Sequence, residues 1–367
     1  MKKIILGLLG ILGIILLLGL GRGQNGKSQI NNNTQSIKAP SPMHYELHTT
    51  NSRSLFIPYW STNLRETDAD YDSYYYFGIA PNAKGEIEND AGLSNLPMVV
   101  EKLKSKAKSR KKLVLRMLDA SVTDVLLVDA NAQKRLLANI DTILEQYNFS
   151  GIILDLEVSF SFQSKKKGQI SQFVQQICTG IKSNYKTCDV LVYGDFSYRG
   201  RPYDLGALGQ VADKIILMAY DFHKAAGEPG PNYSFNEREK YGYDFKQMIA
   251  DAIAYVPKEK IEVVFGMFGY DWTMNEQGKP LKSAQALSLN EINLVTRNLK
   301  LITQEKLQVS SYKLQINSAK EKYIEYVDIE GRSHIIWYED EESAAVKTEY
   351  LQQHGVSQVS FWAHSYF

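Results

Sequence analysis

The chain has 367 residues, of which 42 are Lys or Arg and 41 are Asp or Glu, so its net charge is +1. This balance argues against a dedicated nucleic-acid binder, and a composition with 44% hydrophobic and 23% charged residues excludes wholesale disorder. Two cysteines are too few for a disulfide-framework miniprotein or a four-cysteine zinc site.

The first 21 residues have the pattern of a signal peptide or a membrane anchor. Lys2 and Lys3 precede an uncharged run over residues 4–20. As a helix this run would be about 26 Å long, close to the hydrocarbon thickness of a bilayer. Because the lysines favour the cytoplasmic side, the rest of the chain is expected to be extracellular or in the cell envelope. Residues 22–53, rich in Gln, Asn, Ser and Thr, are expected to form a flexible linker.

An exported location would permit a disulfide between the two cysteines. Cys178 falls on a predicted helix and Cys188 on the strand that follows it. Two buried free thiols are the alternative.

From residue 54 onward, short apolar strands alternate with helical segments. The predicted strands are 54–60, 74–79, 112–118, 150–157, 190–196, 214–221, 262–270 and 358–362. The alternation predicts parallel strands with right-handed crossovers, and eight such units predict an α/β fold of the (β/α)8 TIM-barrel type. The alternative, an open doubly wound sheet, usually has a Gly-rich loop after its first strand, whereas residues 58–61 read Pro-Tyr-Trp-Ser.

The connection before the last strand is long enough to form a structure of its own. Residues 283–301 have a helical pattern, and residues 322–327 and 334–338 predict a hairpin that turns through Glu330 and Gly331. We therefore expect residues 54–272 and 341–367 to form the barrel, and residues 273–340 to form a small α+β insertion that makes one wall of a groove. A disordered insert is the alternative.

Two carboxylates follow the apolar run of the fourth predicted strand. Strand side chains alternate between faces, so Ile153, Asp155 and Glu157 share one face, which is expected to point into the barrel. Barrel enzymes carry their catalytic residues at this carboxyl end of the strands, and buried carboxylates are costly unless they are hydrogen-bonded or functional. The alternative is a strand end that simply meets water.

Other polar and aromatic residues lie near predicted strand ends. The sixth strand ends in Met218, Tyr220 and Asp221, and the last strand carries Trp362, which could form the floor of a sugar site or belong to the core. Further residues that could contact sugar or simply pack are Tyr59, Trp60, Tyr193, Asp195, Tyr270 and Trp272.

These segments resemble glycoside hydrolase family 18, the chitinase-type barrels. The fourth strand of that family carries Asp-x-x-Asp-x-Asp-x-Glu and the sixth carries Met-x-Tyr-Asp. The matching positions are Ser150, Ile153, Asp155 and Glu157, then Met218, Tyr220 and Asp221, and finally Trp362. Segments 227–231, 269–272 and 337–340 resemble the spore-germination and cortex-lytic N-acetylglucosaminidase branch, although its frequent lysin-motif repeats are not apparent. The resemblance covers most of residues 54–367.

The resemblance implies a retaining mechanism in which the 2-acetamido oxygen of the substrate is the nucleophile. Glu157 would be the general acid and base, Asp155 would orient the acetamido group, and Tyr220 would donate a hydrogen bond to its oxygen. The substrate-binding candidates are Asp221, Met218, Trp362, Tyr270, Tyr193 and Trp60. No metal or organic cofactor is implied. Ile153 replaces a residue that is usually Asp or Asn in the family, so we expect a reduced activity or a shifted pH profile.

The expected function is therefore that of an exported glycosidase acting on β-1,4 bonds of an N-acetylglucosamine-containing polysaccharide or oligosaccharide, such as peptidoglycan or chitin. The alternatives are a glycan-binding, lectin-like barrel with weak or no activity, and an interaction scaffold at the cell surface. We expect a monomer that binds no nucleic acid and that contacts a membrane only through its N-terminal segment.

Overall fold

The computed structural model describes residues 52–61, 63–65, 68–106, 108–157, 164–304 and 313–367. The predicted signal peptide or anchor at 1–21 lies outside these residues, as does the predicted linker except for Ser52 and Arg53, which belong to the first strand. Within the described part of the chain, no helix is both long enough and apolar enough to cross a bilayer.

The described strands, in chain order, are β1 (Ser52–Pro58), β2 (Ser73–Ile79), β3 (Arg110–Arg116), β4 (Gly151–Asp155), β5 (Thr187–Tyr193), β6 (Ile215–Ala219), β7 (Ile261–Gly266), β8 (Phe268–Met274), β9 (Gln285–Ser288), β10 (Lys313–Ile316), β11 (Lys322–Val327), β12 (Ser333–Tyr338) and β13 (Gln358–Trp362). Eight of them close into a barrel in the order β1-β13-β7-β6-β5-β4-β3-β2, and every neighbouring pair is parallel. The predicted (β/α)8 barrel is confirmed, and the open sheet is excluded because β1 and β13 pair.

The described helices, in chain order, are α1 (Ala91–Lys102), α2 (Ala120–Leu126), α3 (Ala130–Gln146), α4 (Ser164–Ser183), α5 (Leu205–Val211), α6 (Arg238–Tyr241), α7 (Phe245–Ile253), α8 (Leu289–Gln304) and α9 (Glu341–Gln353). Several begin at an aspartate whose carboxylate accepts backbone N–H bonds of the first turn, which stabilises the helix start. Asp119, at the end of the predicted third strand, caps α2 in this way. Strands such as β2 are buried along their whole length, as expected between a filled barrel and a helix layer.

The predicted insertion is an antiparallel five-stranded sheet in the order β10-β11-β12-β8-β9, with α8 packed on it. A separate apolar cluster holds it together, formed by Leu287, Ile292, Leu299, Ile324 and Ile336. The sheet begins at Phe268, earlier than the predicted start at 273, because residues 269–274 pair with β12 and Phe268 pairs with Ser288 on β9 rather than continuing β7. The helix predicted from 283 begins only at Leu289, since residues 285–288 form β9 along β8.

A buried lysine joins the insertion to the barrel. The Lys347 ammonium on α9 is fully buried and lies 2.5 Å from Glu339, 3.3 Å from Glu321 and 2.7 Å from the Tyr233 carbonyl oxygen. Glu321 also accepts the Phe235 N–H at 2.8 Å. Because both carboxylates belong to the insertion, the Lys347 ammonium between them offsets much of their loss of hydration and ties the insertion to the barrel.

The two cysteines are joined in a disulfide. Cys178 on α4 and Cys188 on β5 are both buried, with Cα atoms 5.3 Å apart. Of the two alternatives left by the sequence, the structure has the cross-link rather than free thiols.

Candidate active site

The centre of the candidate site is the carboxyl end of β4. Asp155, the last residue of β4, is fully buried, and neither of its carboxylate oxygens accepts a hydrogen bond from a described residue. Ile153, two positions earlier on the same face, is also fully buried and offers no polar atom. Burial raises the pKa of Asp155 well above its usual range, the negative charge of Glu157 adds to this rise, and the Arg116 guanidinium opposes it.

Glu157 follows the strand and has a polar neighbour that Asp155 lacks. The Tyr193 hydroxyl, at the end of β5, donates a hydrogen bond to Glu157 Oε2 at 3.0 Å. Burial raises the pKa of Glu157, the Tyr193 hydrogen bond lowers it, and the charge of Asp221 raises it further. A carboxyl with a raised pKa, supported by a hydrogen-bond donor, is suited to general acid–base chemistry near neutral pH.

Two cations cover the ring of Tyr193. The Arg201 guanidinium lies 4.0 Å from the ring centroid and the Lys224 ammonium lies 4.9 Å from it. Both positive charges also lower the pKa of Glu157, in opposition to burial. Arg201 and Lys224 are residues that sequence reasoning missed, because they lie on loops after β5 and β6 and belong to no periodic pattern.

The end of β6 supplies the second group of polar side chains. Met218 is buried in the strand, and burial together with the charges of Glu157 and Asp155 raises the pKa of Tyr220 well above its usual range. Tyr220 therefore keeps its proton and can serve as a hydrogen-bond donor.

Asp221 is held in place from two directions. It adopts a left-handed backbone conformation with φ +56°, and its N–H donates to Asn232 Oδ1 at 3.2 Å. Tyr270, which comes from β8 of the insertion, donates its hydroxyl to Asp221 Oδ1 at 2.8 Å. The insertion thus contributes directly to the arrangement of the barrel mouth. Asn232 is a further residue that sequence reasoning missed, because it lies in a loop and belongs to no motif.

Aromatic side chains from the ends of β1 and β13 line another part of the barrel mouth. Trp362, at the end of β13, lies with its ring centroid 4.7 Å from Phe77, 6.2 Å from Trp60 and 6.3 Å from Tyr220, and it is nearly parallel to Tyr220 with an interplanar angle of 22°. Trp60 is 45% exposed. This pair offers the kind of apolar surface against which a sugar ring packs.

A hydrogen-bonded chain holds the loop that carries Trp60. Ser61 Oγ lies 2.5 Å from His364 Nδ1, and His364 Nε2 lies 3.2 Å from Asp68 Oδ2. Because His364 follows Trp362 closely in the chain, this arrangement ties the loop after β1 to the end of β13. Both tryptophans are thereby fixed at the same edge of the barrel.

Three of the residues that could contact sugar or simply pack make contacts with other residues of the protein. Trp272 is fully buried and donates its indole N–H to the Gly227 carbonyl at 3.0 Å. The Tyr59 ring lies under Arg116, and Asp195 binds Arg201 at 2.8 Å. Across the described residues, no three His, Cys, Asp or Glu side chains converge in a way that could hold a metal ion.

The sequence of the chain matches a known protein family. Residues 54–366 match the family model described as Glycosyl hydrolases family 18. The cortical fragment-lytic enzymes of Bacillus anthracis and Bacillus cereus are each 24% identical, over 259 and 254 residues, with 66% of this chain and 53% of each relative covered. The chain thus spans about half the length of these curated relatives.

Solved structures with the same fold include the Bacillus cereus spore cortex-lytic enzyme SleL. It has a TM-score of 0.68 and 19% identity, with 86% of this chain and 71% of that chain covered. A chitinase from Chromobacterium violaceum has a TM-score of 0.65 and 19% identity, over 86% of this chain and 95% of that one. At these identities the likeness establishes the barrel fold.

Proposed function

Because the chain belongs to glycosyl hydrolase family 18, we propose that it hydrolyses β-1,4 bonds of a glycan that contains N-acetylglucosamine. The observation that carries this proposal is the pair Asp155 and Glu157 at the carboxyl end of β4, both with raised pKa values, beside the hydroxyl groups of Tyr193 and Tyr220. Acids, hydrogen-bond donors and an aromatic wall are the groups that a glycosidase of this family requires.

In the first step, protonated Glu157 gives its proton to the glycosidic oxygen as the bond from that oxygen to the anomeric carbon breaks. The carbonyl oxygen of the substrate's own acetamido group attacks the anomeric carbon, so that a cyclic oxazolinium forms. Asp155 accepts the acetamido N–H and stabilises the positive charge. Tyr220 donates its hydroxyl to the acetamido oxygen and holds it in position for attack.

In the second step, the Glu157 carboxylate takes a proton from a water molecule, whose oxygen attacks the anomeric carbon. The oxazolinium ring opens, the acetamido group is restored, and the configuration at the anomeric carbon is retained. Asp221, fixed by Tyr270, and the rings of Trp362 and Trp60 bind the sugar on either side of the reacting bond.

Peptidoglycan is the substrate class that we put first, with chitin second. The relatives named cortical fragment-lytic enzymes support this order. The protein is proposed to act outside the cytoplasm, on the strength of the pattern at residues 1–21 and of the Cys178–Cys188 disulfide, because such cross-links persist in oxidising compartments.

The test uses the purified protein with peptidoglycan, chitin oligomers and a high-mannose glycopeptide, and measures the release of reducing ends. We expect turnover on one of these substrates that is lost in Glu157→Gln. Turnover that persists in Glu157→Gln would refute the assignment of the general acid.

A lectin-like barrel remains the second candidate because of one feature. Ile153 leaves the Asp155 carboxylate without a hydrogen-bond partner among the described residues. Saturable glycan binding of equal affinity in wild type and Glu157→Gln, without turnover in either, would favour this candidate.

A further inference from the structure

Lys224 lies beside the candidate general acid. It is half-buried on the loop after β6, and its ammonium is 4.9 Å from the centroid of the Tyr193 ring. The hydroxyl of that same ring donates to Glu157 at 3.0 Å. The ammonium is therefore a neighbour of the acid that protonates the glycosidic oxygen, and its charge lowers the pKa of Glu157.

The neighbouring cations of the barrel mouth each have a carboxylate at hydrogen-bonding distance, whereas Lys224 acts on the carboxylates of Glu157 and Asp221 only over a longer distance. Arg201 pairs with Asp195 at 2.8 Å, and Arg116 pairs with Asp90 at 2.7 Å. No carboxylate of a described residue lies within 4.0 Å of the Lys224 ammonium. The stretch 158–163, which follows Glu157 in the chain, contains neither Asp nor Glu.

A half-buried ammonium that makes no direct ion pair with a described residue has lost part of its hydration and has its donors available for an anion. A neutral N-acetylglucosamine polymer would cover it further and could offer it only hydroxyl and carbonyl oxygens, which accept weaker hydrogen bonds than a carboxylate does. A glycan with a carboxylate at that position would form a charge-assisted hydrogen bond with it. The ammonium therefore favours an acidic glycan over a neutral one, because specificity is a difference between two affinities.

We propose that Lys224 binds a carboxylate carried by the substrate next to the cleaved bond, so that the site prefers an acidic amino-sugar polymer to a neutral one. This inference deepens the proposed function and rests on it. In peptidoglycan the carboxylate has two possible sources: the lactyl group of a muramic residue without a peptide, or the stem peptide attached to that group. The shared chemistry is one carboxylate within reach of the ammonium.

The experiment compares kcat/KM on oligosaccharides of one length. The substrates are a neutral N-acetylglucosamine oligomer, an alternating glycan with free lactyl carboxylates, its methyl ester, and the peptide-bearing glycan. The variants are Lys224→Met, which removes the charge at similar volume, and Lys224→Arg, which keeps it. Lys246→Met is the matched control, since Lys246 on α7 is another half-buried lysine whose ammonium lies over an aromatic ring, 4.6 Å from the centroid of Phe235.

For wild type we expect a preference for the acid over its methyl ester of about 10- to 100-fold, as a hydrogen bond to a charged group gives. Lys224→Met should reduce this ratio to within about threefold, while Lys224→Arg and Lys246→Met should keep it. Because Lys224 also influences the pKa of Glu157, its removal shifts the rates on both substrates, and the ratio cancels that effect. A response only with the peptide-bearing glycan would support the proposal and assign the carboxylate to the stem.

An equal loss on the acid and its methyl ester, or no loss on any of the charged substrates including the peptide-bearing glycan, overturns the role of Lys224. If wild type cleaves none of the substrates, the proposed function fails instead. Calorimetric binding of acid and ester to Glu157→Gln, with and without Lys224→Met, then decides the matter. A preference for the acid that disappears with Lys224→Met supports the proposal, and the absence of a preference refutes it.

Discussion

Removing the hydroxyl of Tyr193 tests how the general acid is tuned. Tyr193→Phe keeps the ring on which Arg201 and Lys224 lie, and it removes the hydroxyl that donates to Glu157 Oε2. That bond stabilises the carboxylate and so lowers the pKa of Glu157, against the rise caused by burial. Without it the pKa rises further. A general acid acts in its protonated form, so the limb where kcat/KM falls with rising pH should move to higher pH.

The size of the shift follows from the strength of the bond. A hydrogen bond to a charged group contributes about 1.5–3 kcal/mol, and one pKa unit corresponds to about 1.4 kcal/mol. Glu157 is partly exposed, so water replaces part of the lost interaction, and the loss is expected at the low end of this range. At a pH on the falling limb, this corresponds to about a tenfold change in kcat/KM.

The assay is the pH dependence of kcat/KM on the glycan that wild type cleaves best. Tyr243→Phe is the control, because it removes a hydrogen bond of the same kind, from Tyr243 to Asp251 at 2.8 Å, away from the site. This variant should leave the profile in place. A high-pH limb that is unchanged in Tyr193→Phe, or that moves to lower pH, would show that Tyr193 does not set the pKa of Glu157.

Three further changes have definite expected outcomes. Ile153→Asp places a carboxyl beside Asp155 and should alter both the rate and the pH profile of hydrolysis. An unchanged rate and profile would contradict the hypothesis that Ile153 affects activity by leaving Asp155 without a polar partner. Lys347→Met leaves two buried carboxylates unpaired and should lower the free energy of unfolding in urea by about 3–5 kcal/mol; a loss below about 1 kcal/mol would mean that water reaches them. Reducing the Cys178–Cys188 disulfide, which closes a loop of 10 residues, should lower stability by about 2–3 kcal/mol, and an unchanged urea midpoint under dithiothreitol would refute this.

Local periodicity explains why the catalytic candidates on β4 could be identified from the sequence. Side chains of a strand alternate between two faces, so the spacing of Ile153, Asp155 and Glu157 put them on one face without knowledge of any other element. The order of apolar runs in the same way predicted the barrel and the insertion. The boundary between β7 and β8 could not be predicted from local sequence, because residues 263–270 form one mostly apolar run. The two strands differ only in their partners, since β7 pairs with β13 and β8 pairs with β12.

The sequence by itself determined the barrel, the two carboxylates of β4 and the polar ends of β6, since each depends on a repeat or a motif within a few residues. The tertiary structure alone decided which side chains meet at the mouth. Tyr193 reaches Glu157 from the adjacent strand, and Tyr270 reaches Asp221 from the insertion. The loop that carries Lys224 brings its ammonium to the ring of Tyr193. These contacts join residues that are distant in the chain, and they exist only because closing the barrel brings the carboxyl ends of all its strands to one edge.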